Sequence, residues 1–241
     1  VYEVVLVGGR IDKHNLVDHV IFSPRVNVRF NPSEAVNLRV SYAGGYRAPQ
    51  AFDEDMHIAI VGGKRVRIRL ADDLREERSH SVSLSADLYH TFGKVQTNLL
   101  VEGFYTILDD VFALRDMDDA ADGGKVKERY NGSGATVRGF NVEGRAAFTR
   151  WFELQAGVTL QQSRYKEPEF WSEDAEVPPV RRMFRTPDAY GYFTASFKPV
   201  RNFTADLSGT CTGSMLVQHM AGSGVAQDVA VSTPSFFDMN I

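Results

Sequence analysis

Apolar and polar residues alternate with a period of two along stretch after stretch of this chain, the pattern of extended strands whose two faces meet different surroundings. Phe22, Pro24, Val26, Val28 and Phe30 fall on one face, and Ser23, Arg25, Asn27, Arg29 and Asn31 on the other. Asn31-Pro32-Ser33-Glu34 has turn chemistry, after which Val36, Leu38, Val40 and Tyr42 resume the apolar face opposite Asn37, Arg39 and Ser41. The hairpin recurs three times, pairing residues 82–88 with 95–101, 140–148 with 152–160, and 193–197 with 203–211. The count is about nine strands plus the start of another in Phe236-Phe237-Asp238-Met239-Asn240-Ile241.

The connections alternate in length. Turns of a few residues join the members of each hairpin, while polar segments 47–79, 109–131, 166–188 and 213–234 separate one hairpin from the next. Compact soluble β-domains seldom carry repeated loops beyond ~12 to 15 residues, whereas a transmembrane barrel has short turns at one rim and long loops at the other. Phe30, Tyr89, Phe92, Phe148, Trp151, Phe152, Phe197 and Phe203 lie beside the short turns, where an interfacial aromatic girdle belongs.

Composition narrows the choice. No apolar run approaches the ~20 residues of a transmembrane helix, which excludes a helical membrane protein and leaves barrels open. With 27 Lys+Arg against 31 Asp+Glu the chain has no basic excess for gripping nucleic acid. A single cysteine, Cys211, rules out an internal disulfide framework or a multi-thiolate zinc site. Nothing resembles a nucleophile elbow or a phosphate loop, so the sequence reads as no enzyme. The chain opens at Val1-Tyr2-Glu3 without a leader, and an exported protein would have lost its leader with some preceding sequence.

Energetics choose the face that meets lipid. Arg25, Arg29, Arg39, Asp87, Glu143, Arg145, Glu153 and Asp206 share one face, and Arg near the bilayer midplane costs ~2 to 4 kcal/mol. That face is expected to line the lumen. The fold expected is all-β, an antiparallel up-and-down transmembrane β-barrel, present here in part.

Three segments carry a family resemblance: Gly9-Arg10-Ile11-Asp12, the run from Ser23 through Asn31-Pro32, and Gly45-Tyr46-Arg47-Ala48-Pro49 followed by Phe52-Asp53-Glu54. Together they resemble the middle-to-late barrel of a TonB-dependent receptor. The resemblance implies a plugged barrel of about 22 strands in the cell outer membrane, importing siderophore-bound iron, haem, cobalamin or glycan with energy from the TonB complex. It also implies that residues 1–241 are a partial barrel domain, with the plug, the TonB-contacting segment, the early strands and the final strands absent. Outer-membrane lipid, the TonB complex through the missing N-terminal region, and a small-molecule or glycan ligand are the implied partners.

Loops nominate the site residues. Arg47 opens the first long loop, and Asp53, Glu54, Asp55 and His57 within it offer oxygen and imidazole donors to a polar ligand or hard cation. Asp116, Asp118, Asp119 and Asp122 form a carboxylate-dense run in the second loop that could take calcium, although it lacks EF-hand spacing. Phe170 and Trp171 in the third loop could stack on a flat or apolar substrate, or pack the loop upon itself. Two other readings fit the alternation: a passive porin-like barrel, and a soluble β-rich surface binding module.

Overall fold

A computed structural model describes residues 1–49, 66–117, 125–172, 174, 176–219, 221, 225 and 227–240. The strands begin with β1 (Tyr2–Asp12), β2 (Ile21–Ser33), β3 (Val36–Arg47), β4 (Val66–Leu70), β5 (Glu77–Phe92), β6 (Val95–Asp109), β7 (Phe112–Met117) and β8 (Lys125–Asn131). They continue with β9 (Ala135–Ala147), β10 (Phe152–Glu169), β11 (Val180–Arg182), β12 (Ala189–Val200), β13 (Phe203–Thr212), β14 (Leu216–His219), β15 (Val229–Ser232) and β16 (Phe236–Asn240). No helix occurs among the described residues.

One sheet makes the wall. Its path is β1-β2-β3-β5-β6-β9-β10-β12-β13-β16, each strand antiparallel to the next, with β11 adding to β10 off the path. This is the up-and-down meander expected, with the partial last strand where the sequence placed it. Gly93 sits at φ 63 in the link that joins Phe92 directly to its partner Val95. Positive φ at the first turn position suits a type II′ hairpin, whose twist matches that of the strands it connects.

Register keeps the two faces separate across the wall. Leu38, Ala86, Val101, Val142, Val158, Gly191, Cys211 and Phe237 are successive cross-strand partners in one apolar row. One step toward the long loops lies the row Val28, Val40, Leu84, Gly103, Phe140, Leu160 and Ala189. Leu84 is 60% exposed and Phe140 65%, with none of the described residues covering them. Apart from two glycines, only Val17, Ile21, Pro49, Ala71, Ala135 and Ala195 are buried apolar residues among the described part of the chain. A soluble sandwich could not be held together by so little; the apolar face needs an apolar solvent.

The opposite face is a hydrogen-bonded polar lattice. Asn141 donates to Glu102 at 2.9 Å and accepts from Thr159 at 2.8 Å, and Gln155 donates to Glu143 at 2.9 Å. Arg145 pairs with Glu153, and Ser196 donates to Asp206 at 2.5 Å. Glu153 and Asp206, expected to line the lumen, are each occupied by a different neighbour. Tyr89, placed by the sequence in the aromatic girdle, donates its hydroxyl to Asp87 at 2.8 Å and so belongs to this polar face. The girdle elsewhere is real: Phe152 stacks on Phe197 at 4.8 Å and on Phe148 at 5.4 Å, beside Trp151.

Two features depart from the sequence reading. The long segments hold strands of their own, β4, β7, β8, β11, β14 and β15, where loops without structure were expected. The wall strands also rise further: β5 starts at Glu77 and β10 continues to Glu169. Beyond the apolar rows both faces of a strand meet polar surroundings, so the alternation that marks it fades while the ladder continues.

Candidate functional site

Most of the fully buried residues lie at the long-loop rim rather than in the wall. Val17, Ile21, Pro49, Ala71, Glu76, Glu128, Arg129, Ala135 and Ser163 are all there. The set joins five apolar residues to three charged ones, Glu76, Glu128 and Arg129, and buried charges are tolerated only when paired.

Each loop is tied to the next. Loop 13–20 reaches the first long loop through His19, whose Nε2 lies 2.9 Å from Glu76 Oε1. Arg78 donates to the same oxygen from Nε at 2.8 Å and Nη2 at 2.6 Å. The first and second long loops share a three-stranded sheet in which β4 runs parallel to β8, and β8 antiparallel to β7. Asn131 clamps that junction: its Oδ1 accepts from the Arg75 amide at 2.8 Å while its Nδ2 donates to the carbonyls of Arg75, at 3.0 Å, and Asp110, at 2.7 Å. Arg115 binds Glu128, which is buried, and lies 5.0 Å from the Tyr130 ring. The third loop and the last links up through Ser172 donating to Asp228 at 2.6 Å and Arg182 donating to the Ser214 carbonyl at 2.9 Å.

Burial pushes the Glu76 carboxyl upward, but the Arg78 hydrogen bond, its own amide and His19 outweigh that and hold it below the usual carboxylate value. A depressed pKa adds stability that is complete above the ordinary value of 4.5 and disappears as pH falls through the folded-state value. Amide protection around residues 71–78 in the full-length protein is therefore expected to fall on acidification below the ordinary carboxylate value of 4.5, and Glu76→Gln is expected to remove that step. Protection that is indifferent to acid in the native protein would show that Glu76 does not hold the junction.

The nominated residues fare differently. Arg47 is turned to the rim cluster: it lies 3.5 Å from Glu77 and its guanidinium is 5.3 Å from the centre of the Phe112 ring. Glu77 also accepts the Phe112 amide at 2.5 Å, so Arg47 ends β3 as a structural brace. Pairing in the wall stops at Arg47 with Glu77, just before Pro49, which cannot donate to a ladder. Asp53, Glu54, Asp55 and His57 lie outside the described residues, as do Asp118, Asp119 and Asp122; Asp116 contributes backbone to β7 and its side chain is also outside them. Among the described residues no group of three or more His, Cys, Asp or Glu is placed to hold a metal ion. Phe170 is 75% exposed, free to meet a ligand, whereas Trp171 packs edge-on against Phe184 at 5.5 Å.

Sequence reasoning missed Glu76, Arg78, Arg115, Glu128, Arg129 and Asn131. A usable signal was present for β4, where Val66-Arg67-Ile68-Arg69-Leu70 alternates as the wall strands do. Which partner it would find, 59 residues away by the Val66–Lys125 pairing, is not encoded locally.

Comparison with known proteins bears on the whole chain. A family model described as TonB dependent receptor-like, beta-barrel matches residues 4–237. No curated protein matches. Among solved structures, a mutant of the ferric enterobactin receptor PfeA from Pseudomonas aeruginosa superimposes with a TM-score of 0.66 at 16% identity, over 98% of this chain and 34% of that one. The siderophore receptor PirA from Acinetobacter baumannii gives 0.64 at 15% identity, over 98% of this chain and 36% of that one. The FrpB iron transporter from Neisseria meningitidis gives 0.60 at 15%, over 92% of this chain and 31% of that one. The chain spans about a third of the length of these structures, and at such identities the likeness is one of fold.

Proposed function

The chain belongs to the TonB-dependent receptor family, and from that membership we propose that it forms part of the wall and mouth of an outer-membrane importer energised through TonB. Receptors of this family are transporters, not enzymes. The observation that carries the reading is the two-faced wall: apolar rows in register on one side, and on the other a lattice of paired side chains suited to a filled, wet lumen. The remaining strands, the plug and the segment that meets TonB belong to sequence outside this chain.

The cargo is a scarce nutrient, namely siderophore-bound iron, haem, cobalamin or glycan. Ferric siderophore is the first to test, because the similar structures include receptors for ferric enterobactin and other siderophores. The interlocked loops form the outer mouth, with Phe170 the exposed aromatic available for stacking. Growth of a strain deleted for the full gene, fed each nutrient singly, is expected to fail on one of the four. Uptake of that nutrient should also stop when TonB is removed. Uptake that continues without TonB would establish a passive porin instead.

A further inference from the structure

The outward face carries a feature that transport of cargo through the lumen does not use. In the apolar row nearest the loops, Gly103 stands between Leu84 and Phe140 and leaves a hollow bounded by those two residues, Leu160 and Tyr105. The Phe140 ring reaches to 3.4 Å of where a Gly103 Cβ would be, closing the hollow on one side. One row nearer the loops, on the same face, the partners are Val82, Tyr105, Arg138 and Gln162; the next row holds His80, Ile107, Thr136 and Arg164. Arg138 and Arg164 are thus diagonal neighbours directly above the hollow.

Both guanidiniums are exposed, and among the described residues neither has a carboxylate partner; Arg138 donates only to Gln162, at 2.9 Å. Neighbouring cations at the rim are neutralised, Lys166 by Asp109, Arg78 by Glu76 and Arg182 by Asp188. Two unpaired guanidiniums are therefore retained on the lipid-facing surface at the level where hydrocarbon gives way to headgroups. Arginine matches phosphate oxygens through paired, charge-assisted hydrogen bonds, and basic clusters at the membrane surface attract anionic headgroups. An acyl chain lying in the Gly103 hollow would bring its phosphate to these side chains.

We propose that Arg138 and Arg164, with the hollow at Gly103, seat a phosphate-bearing lipid of the leaflet on the loop side. The inference rests on the reading of this face as membrane-facing.

The test uses the full-length receptor in phosphatidylcholine nanodiscs doped with phosphorylated or dephosphorylated lipid A, with retained lipid counted by native mass spectrometry. Native protein is expected to retain the phosphorylated form roughly tenfold over the dephosphorylated one, one charge-assisted contact being worth about that factor. The double variant Arg138→Gln, Arg164→Gln should lose that preference, and Gly103→Leu, which fills the hollow and keeps both arginines, should reduce retention of either form. All variants are first confirmed as folded barrels by their migration on unheated gels. An unchanged preference in the double variant overturns the proposal, as does displacement of the lipid by inorganic phosphate alone. Cys211, in the apolar row, separates the two levels of failure. If a water-soluble maleimide labels it in nanodiscs as fast as in unfolded chain, the membrane-facing reading itself falls and the lipid seat with it. A protected Cys211 without phosphate preference overturns the seat alone.

Discussion

Val101→Arg should strongly destabilise the folded barrel, while Leu100→Arg, one position away, should leave its stability nearly unchanged. Val101 occupies the middle apolar row, between Ala86 and Val142, with rows of apolar residues on either side. An arginine there costs ~2 to 4 kcal/mol near the midplane, a large share of the marginal stability of a typical domain, ~5 to 15 kcal/mol. Leu100 points to the other face, and its two cross-strand partners are Asp87 and Glu143. A guanidinium at that position lies beside two carboxylates, each of which already accepts hydrogen bonds from neutral donors. The measurement is the urea midpoint of the full-length protein in vesicles, with heat-modifiable migration as the check on folding. Equal loss in both variants would mean that the faces have been assigned wrongly or that neither meets lipid.

Gly139→Val is expected to be the second severe change, with Gly144→Val as its counterpart. Gly139 on β9 faces Phe104 of β6 on one flank and β10 on the other. A Cβ at this position would lie 2.8 Å from Phe104 Cζ and closer still to the Leu160 carbonyl, a backbone atom that cannot move without opening the ladder. Overpacking of this kind costs about 1 to 3 kcal/mol, and here it strikes two strand pairs at once. Gly144 lies five residues along the same strand with nothing within 4 Å of its would-be Cβ. Valine there faces lipid in a row of apolar partners and removes the ~0.5 to 1 kcal/mol burden of glycine within a strand. The urea midpoint should thus fall for the first variant and hold or rise for the second. A harmless Gly139→Val would show that β9 and β10 are further apart than described.

The aromatic–glycine pairings explain why the wall tolerates so many small residues. Phe104 covers Gly139, Tyr192 approaches Gly157 to 2.6 Å of its would-be Cβ, and Phe193 approaches Gly209 to 2.5 Å. Each ring lies across the bare backbone of the neighbouring strand, an arrangement that fixes register as well as filling space.

How far the sequence could be read depended on the range of the forces involved. Val26, Leu38, Leu84 and Leu154 could be placed on one face, and Arg29 and Arg39 on the other, because membrane and lumen act on every second residue of a single strand. The turns read at residues 31–34 and 91–94 were legible from equally local chemistry, although β2 runs on to Ser33 and β5 to Phe92, so the chain reverses at Glu34-Ala35 and Gly93-Lys94. Above the membrane that asymmetry stops, and apart from the alternation at β4 the loop strands, with the buried Glu76, Glu128 and Arg129, left no local trace. Their burial depends on partners supplied by other loops, and a charged residue in a long polar segment looks solvated until its partner is known. Arg47 is the instructive case: its position opening a loop suggested ligand contact, and its actual neighbours, Glu77 and Phe112, lie in segments that no local pattern connects to it.

The parallel ladder between β4 and β8 has a kinetic corollary. Parallel strands need a long crossover, and here the crossover contains the whole β5–β6 hairpin of the wall. Closing so distant a contact is entropically slow until that hairpin already stands. A protease-sensitive site within 71–76 should accordingly become resistant only after the barrel has zipped, a late signal that assembly is finished.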